Sequence, residues 1–563
     1  MAHTSEILAL FLAASMSMSA CGSTQRGGAN GTTADLVFVG GDIYTMDAEN
    51  ARATAVAIRG QHIIAVGSDE TIARHVGKGT RIVDLQGRTL TPGLSDAHCH
   101  LYGLGKSLES VNLRDVKSAD AAAQLVFEAS KSLEPGEWAT GRGWDQNLWE
   151  GQNFPNKATL DAVLPKRPVA LRRVDGHALW ANSAALALAG VDSTTTDPAG
   201  GTIERDAKGN PTGVFIDNAM SLVERKLPKP SDTVIKRRIL AAAKVATSVG
   251  ITSVHEMGIS DSVVSVYRGL ASEGRLPLRV YALLAGDADV VASLHTRVPE
   301  VDRDGTQFFV LRAIKLFADG ALGSRGAAML APYSDDPENS GLWITSPEEL
   351  NASAVAVANA GWQLGVHAIG DAANRAVLDA FEAANSAVPD TELRFRVEHA
   401  QILAAEDIPR FAKLGVIASM QPTHATSDMP WAEKRIGAER IAGAYVWRSI
   451  LDSGAHLAAG SDFPVERVAP LLGVYAAVTR QDADGTPAGG WLPEQRMTLE
   501  EAIRAFTAEA AYAAFVEDYR GILKPGFVAD LTVFDRKLQP DATLLQTEVD
   551  MTVVGGAVMF EDE

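Results

Sequence analysis

From Ile235 onward, amphipathic helical stretches alternate with short apolar runs, and that alternation leaves few folds open. Ile235–Val249 repeats apolar residues at helical spacing, stops at Gly250 and gives way at once to the run Ile251-Thr252-Ser253-Val254-His255. Glu348–Ala360 leads in the same manner to Trp362–His367, and Ala405–Leu414 leads through Gly415 to Val416–Met420. Strands joined through helices run parallel, and a parallel sheet has to be covered on both faces. The pattern therefore predicts an α/β chain built on a (β/α)₈ TIM-like barrel. Polar residues recur where these strands end, which in a barrel is the face that carries the active site.

A chain of 563 residues, 46% hydrophobic, is long enough for a barrel and a smaller second domain. Leu36–Met46, Ala53–Gly67 and Arg81–Leu85 are β-branched runs separated by Gly and Asp turns. Gly521–Gly526, Ala529–Phe534 and Met551–Phe560 have the same texture. Residues 35–91 and 521–563 are thus expected to join the two chain ends in one small β-sandwich domain, with the barrel over 92–520. About 102–234 is longer than one βα loop, and it is expected to form a cap insertion after the first barrel strand.

The net charge of −19 argues against a nucleic-acid partner, which requires a basic stripe. Two cysteines, Cys21 and Cys99, make no disulfide framework and no thiolate-rich zinc site. Cys21 ends the apolar run Ile7–Ala20, too short to cross a bilayer but suited to a secretion signal over residues 1–21. Met18-Ser19-Ala20-Cys21 resembles a bacterial lipobox, in which the cysteine is lipidated. The leading MAHTSE lacks the expected positive charge. Residues 22–34, rich in Gly, Ser and Thr, read as a flexible tether. The expectation is an exported protein, periplasmic or lipid-anchored, that meets a membrane only through its N-terminus.

The strongest local signal is Thr91-Pro92-Gly93-Leu94-Ser95-Asp96-Ala97-His98-Cys99-His100, where a strand of period two points His98 and His100 the same way. Two imidazoles on one face suit a divalent metal, and Cys99 points to the other face as a packing residue. Further candidates are Lys315 in AIKLFADG, His367 in GVHAIGD, His399 in RVEHAQ and Asp462 in AAGSDFPVE. Each has a plain alternative: a lone histidine in an apolar strand satisfies a core hydrogen bond, and an aspartate before Phe-Pro forms a turn. Lys315 is the oddest, because its apolar flanks would bury an ammonium at high cost unless it is modified.

In that order, His98-x-His100, Lys315, His367, His399 and Asp462 resemble the ligand series of the amidohydrolase superfamily. The runs RRVDGH (172–177), KLFADG (315–320), HAIGD (367–371), EHAQ (398–401) and GSDFP (460–464) are similar to the branch containing N-substituted formamide deformylases, amidohydrolase family 3, over about Ala34 to Gly555. The resemblance implies a hydrolase that cuts an amide-type C–N bond with a metal-activated water. It implies one or two divalent metal ions, zinc by default. His98, His100 and Asp462 would hold one and His367 and His399 the other, with Lys315, carboxylated by carbon dioxide, between them. Asp462 would be the catalytic proton shuttle.

The cap supplies candidates for substrate binding: Trp144, Asp145 and His177, with Asp175 and Trp180 nearby. Trp144 is equally readable as a core anchor. From the barrel, Asp319, Arg325 and His424 are further binding candidates, with His255 beside them and Arg325 a carboxylate clamp. The expected partner is a small molecule, an N-acyl, formamide, carbamate or imide compound, and barrels of this kind also pair as homodimers. Two other functions stay open at this point: a deaminase or cyclic amide or ester hydrolase on the same metal centre, and a tethered binding lipoprotein without catalysis.

Overall fold

The computed structural model describes residues 33–133 and 136–562. The signal-like segment, Cys21 and most of the tether lie outside the described residues. Eight strands form a sheet in the order of the chain: β1 (Leu94–Cys99), β2 (Ile251–Ile259), β3 (Arg279–Ala285), β4 (Phe309–Phe317), β5 (Gln363–Ala368), β6 (Arg396–His399), β7 (Ile417–Met420) and β8 (Leu457–Ala459). Every pairing between successive strands is parallel. At the far edge the backbone N–H of Asp462, just past β8, donates to the carbonyl of His98 in β1 at 2.7 Å and brings the ends of the sheet together. The (β/α)₈ barrel read from the helix-strand alternation is the architecture observed.

The strands are buried along almost their whole length, the consequence of helices outside and packed side chains within. Helices α1 (Leu101–Leu108) and α2 (Asp232–Ser248) pack against each other on the outer layer. Gly250, at φ +88°, ends α2 and turns the chain into β2; a Cβ there would stand 2.6 Å from Thr532 Cγ2.

Two further sheets combine the chain ends. Leu531–Phe534 pairs antiparallel with Thr89–Pro92, while Leu36–Val39 and Ala55–Arg59 lie in the second sheet. Phe38, Ile58, Leu90, Leu531, Val533 and Val553 fill the space between them. Arg279 at the start of β3 reaches Asp530 at 2.8 Å and ties this domain to the barrel floor.

The insertion between α1 and α2 has its own mixed sheet of six strands, from Val111–Asn112 to Gly201–Arg205. One face packs on Trp144, Trp149 and Trp180, whose rings lie 6.0–6.3 Å apart. Because α1 belongs to the helical layer of the barrel, the cap sheet begins only at Val111. Among the described residues no helix is long and apolar enough to cross a membrane.

Candidate metal centre

β1 delivers His98, and the first turn beyond it delivers His100 at the start of α1. Each ring has one nitrogen already committed: His98 Nδ1 lies 2.6 Å from Glu398 Oε2, and His100 Nδ1 donates to the Met257 carbonyl at 3.1 Å. Both therefore turn Nε2 toward Asp462, whose Oδ1 is 3.6 Å from that of His98 and 3.2 Å from that of His100. Asp462 Oδ1 is buried and receives no well-aligned hydrogen bond. Two ligands about 2.1 Å from one tetrahedral ion stand about 3.4 Å apart, so this triangle fits a metal. Burial lowers the pKa of His98 although Glu398 and Asp462 resist, and the neutral imidazole is the ligand form. Burial opposes ionisation of Asp462, but His100 and His98 outweigh it and hold the carboxylate well below the usual range.

The next strands bring three more imidazoles beside this group. The His399 ring lies 4.6 Å from that of His98 and 4.7 Å from that of His367. His399 Nδ1 donates to the Gln421 side-chain oxygen at 2.7 Å, leaving Nε2 open. His367 Nε2 donates to the Gly320 carbonyl at 3.3 Å, leaving Nδ1. Burial pushes both rings well below the ordinary histidine pKa. His424, on helix α3 (Pro422–Asp428), places its Nε2 3.6 Å from Asp462 Oδ2. His399, His424 and Asp462 each offer a donor atom within 4.8 Å of the others, as His98, His100 and Asp462 do, whereas His367 joins neither group. Lys315 is buried, with Nζ 3.7 Å over the Phe317 ring and 3.3 Å from the Leu316 carbonyl. Burial pulls its pKa down to about 8, toward the neutral amine, the nucleophilic form of the side chain.

Buried charges hold the ligands. Arg396 pairs with Glu398 at 2.8 Å, and its other nitrogens reach His255 Nδ1 and Ser419 Oγ, each at 2.8 Å. Burial works against the Glu398 carboxylate, but Arg396 and His98 keep it ionised well below the usual range. Glu256 accepts the backbone N–H groups of Leu101 and Tyr102, fixing the turn that carries His100.

Above these residues lies a cavity of about 300 Å³ between barrel and cap. His367, His399, His424 and Asp462 form its floor, and Asp145, Arg173, Asp175 and His177 come from the cap. His177 Nδ1 lies 2.6 Å from Asp217 Oδ1. Burial disfavours the imidazolium, but Asp217 and then Asp175 prevail and raise its pKa. Arg173 is held between Asp145, at 2.5 Å, and Asp175. Trp431 and Leu322 supply an apolar wall.

Asp145, Asp175, His177 and His424 thus line the cavity, and five expected cleft residues, Trp144, Trp180, Arg325, Asp319 and His255, do not. Trp144 is fully buried in the cap core with its indole N–H on the Leu171 carbonyl at 2.8 Å, so it is the core anchor. Arg325 is clamped onto Asp335 at 3.0 and 3.1 Å and has no open fork for a substrate carboxylate. Asp319 accepts backbone N–H bonds from Ala328, Ile369 and Gly370 at 2.8–3.0 Å, which makes it the pin of two loops. His255 is the acceptor for Arg396.

Asp96, Glu398 and Asp217 were not singled out from the sequence. Asp96 shares the strand parity of His98 and His100, a signal that was available. Glu398 and Asp217 face their histidines only through the fold.

Comparison with known proteins identifies the family. The model of the "Amidohydrolase family" matches residues 81–560. The chain is 35% identical to protein LONG AFTER FAR-RED 3 of Arabidopsis thaliana, over 94% of this chain and 92% of that one. It is 33% identical to the putative amidohydrolase YtcJ of Bacillus subtilis (93% and 99%), and 29% identical to the N-substituted formamide deformylase of Arthrobacter pascens (94% and 98%). The crystal structure of an uncharacterized metal-dependent hydrolase from Pyrococcus horikoshii superimposes with a TM-score of 0.72 at 28% identity, over 90% of this chain and 98% of that one. The chain belongs to the amidohydrolase family and is a metal-dependent hydrolase of carbon–nitrogen bonds.

Proposed function

We propose that the chain hydrolyses the C–N bond of a small N-acyl, formamide, carbamate or imide compound, with Asp462 as the proton shuttle. The observation that carries this reading is the place of Asp462, 3.2 Å from His100 Nε2 and 3.6 Å from His98 Nε2, on the floor of the cap-covered cavity. The metal, zinc by default, would be held by His98, His100 and Asp462. His367 Nδ1 and His399 Nε2, with Lys315 carboxylated, offer a second seat. When bound, the metal acidifies water and polarises the substrate carbonyl. Asp462 accepts the proton of the attacking water and returns it to the leaving nitrogen, which departs as an amine. His177 approaches from the cap and orients the substrate carbonyl, while Arg173, Asp145 and Asp175 form the polar side of the cleft.

The test combines metal analysis, intact mass and a substrate panel on wild type, His98→Ala, Lys315→Ala and Asp462→Asn. Metal retained in Asp462→Asn at reduced affinity, with cleavage of an N-formyl or N-acyl amine lost, is the expected result. Wild-type turnover in Asp462→Asn sinks the shuttle. Activity confined to amidine deamination or lactone opening replaces the substrate class, and a metal-loaded protein inert on the whole panel points to a binding lipoprotein. A carbon-dioxide-sized mass excess that disappears in Lys315→Ala would establish the carboxylation. Export and a lipid on Cys21 are proposed from residues 1–21 alone, and a cytosolic protein with its first residues intact overturns both.

A further inference from the structure

His424 came from the sequence only as a cleft residue, and the resemblance assigns it no metal. Its surroundings are those of a ligand. The ring is buried on α3 at the cavity floor, and its Nε2 is shut away from water with no hydrogen-bond partner. An orphaned imidazole nitrogen in such a place carries a desolvation cost that a bound cation removes.

The nearest groups match that demand. Asp462 Oδ2 lies 3.6 Å away, the same separation that Asp462 Oδ1 keeps from His98 Nε2 on the other side. His399 stands beside His424 with its ring nearly parallel, 24° between planes and 5.7 Å between centroids. The donor atoms of His399, His424 and Asp462 all lie within 4.8 Å of one another, so that a small inward shift of the side chains brings them to the separation of ligands on one ion. The outer nitrogens are served as well: Gln421 takes the Nδ1 proton of His399 at 2.7 Å, and the Gln401 side-chain amide lies 3.1 Å from His424 Nδ1. The structure turns the Gln401 amide nitrogen to that side; a half turn of the amide would put its oxygen there, so that His424 Nδ1 donates and Nε2 keeps its lone pair for the ion.

We infer that His424 is a metal ligand, completing with His399 and Asp462 Oδ2 a second cation seat that does not draw on Lys315. The Asp462 carboxylate then faces one ion through Oδ1, with His98 and His100, and the other through Oδ2. His399 is common to this seat and to the one on the Lys315 side, so the two are alternative places for the second ion. The inference rests on the metal-dependent reading of the site but not on its substrate.

The test uses the full chain loaded with cobalt(II) in place of the native metal. His424→Cys should add a thiolate-to-cobalt charge-transfer band in the near ultraviolet that wild type, with the same Cys21 and Cys99, lacks. His424→Asn should lose one metal equivalent while the His98 site stays filled. A cobalt-loaded His424→Cys protein without the band, or a folded His424→Asn protein with unchanged metal content, overturns the inference. Should the cysteine variant fail to fold, the asparagine variant decides alone. A wild type that binds metal but cleaves no amide would end the proposed function and leave this result standing, so the two failures are distinguishable.

Discussion

The carboxylate of Asp96 accepts both hydrogens that Ser461 can donate: the hydroxyl reaches Asp96 Oδ2 at 2.6 Å and the backbone N–H lies 3.1 Å from either oxygen. Asp96 Oδ1 also receives the N–H of His98 at 3.2 Å. One buried group thus locks the strand that carries His98 and leads to His100 to the turn that carries Asp462. That turn needs holding, since Asp462 sits at φ +58°, a conformation that residues other than glycine seldom adopt.

Asp96→Asn replaces one acceptor oxygen with an N–H₂ that confronts a donor. The expected cost is about 1–3 kcal/mol of stability, together with a metal affinity on the order of tenfold to a hundredfold weaker. Thermal melts and competition with a chelator measure the two separately. Unchanged metal affinity would show that the lock serves only the fold.

Glu398 is the link between His98 and Arg396, and all three side chains are buried. Glu398→Gln would leave the Arg396 charge without its counterion and a single acceptor oxygen where Arg396 and His98 each have one. Removing one partner of a buried pair costs about 3–5 kcal/mol. The denaturation midpoint should fall accordingly, and metal should leave the His98 site first. A variant as stable as wild type would mean that Ser419 and the Ala97 carbonyl suffice for Arg396.

What the sequence made legible were the features that repeat locally. Helix-strand alternation requires a parallel closed sheet, and a histidine or aspartate at an apolar strand end is visible without knowing its neighbours. Trp144 and Arg325 were ambiguous for the opposite reason: whether a tryptophan walls a cleft or fills a core, and whether a guanidinium is free, depends on partners such as Leu171 and Asp335 that folding supplies. Glu398 and Asp217 belong to the same class. His424 was legible as a residue near the site but not in its geometry, because α3 follows a strand and nothing in the run QPTHATSD sets its angle to Asp462.

Glu256 gives a pH dependence whose sign can be worked out. Burial raises its pKa from 4.5 to about 8, so the folded protein retains a proton that the unfolded chain has released over that range. Its contribution to stability is complete below pH 4.5 and is lost as the pH rises through 8, by at most about 1.4 kcal/mol per pH unit. Glu256→Gln stays neutral and should flatten that part of the profile. Denaturant titrations of both proteins at pH values from about 5 to 8 measure it, and parallel profiles would assign the decline to other groups.

Asp217 provides the last contrast, between stability and activity. Its backbone lies at φ +48°, its Oδ1 holds His177 at 2.6 Å, and its Oδ2 is buried without a hydrogen-bond partner. The loop at Gly320 runs close to that same oxygen, where a Cβ built on the glycine would lie 2.7 Å from it. A charged group kept in strained, half-satisfied surroundings costs stability, and such costs persist where function requires the group. Asp217→Asn keeps an acceptor for His177 Nδ1–H and removes the charge that raises the His177 pKa, so its melting temperature should fall below that of wild type at acidic pH and approach it once His177 is neutral. Turnover should nevertheless fall on the order of tenfold to a hundredfold, because an imidazole beside a neutral amide is a poorer donor to the substrate carbonyl. His177→Asn should lose a similar factor, and the double variant no more than either single one, since both changes disable the same unit. Additive losses would mean that Asp217 acts on the barrel loop and not through His177.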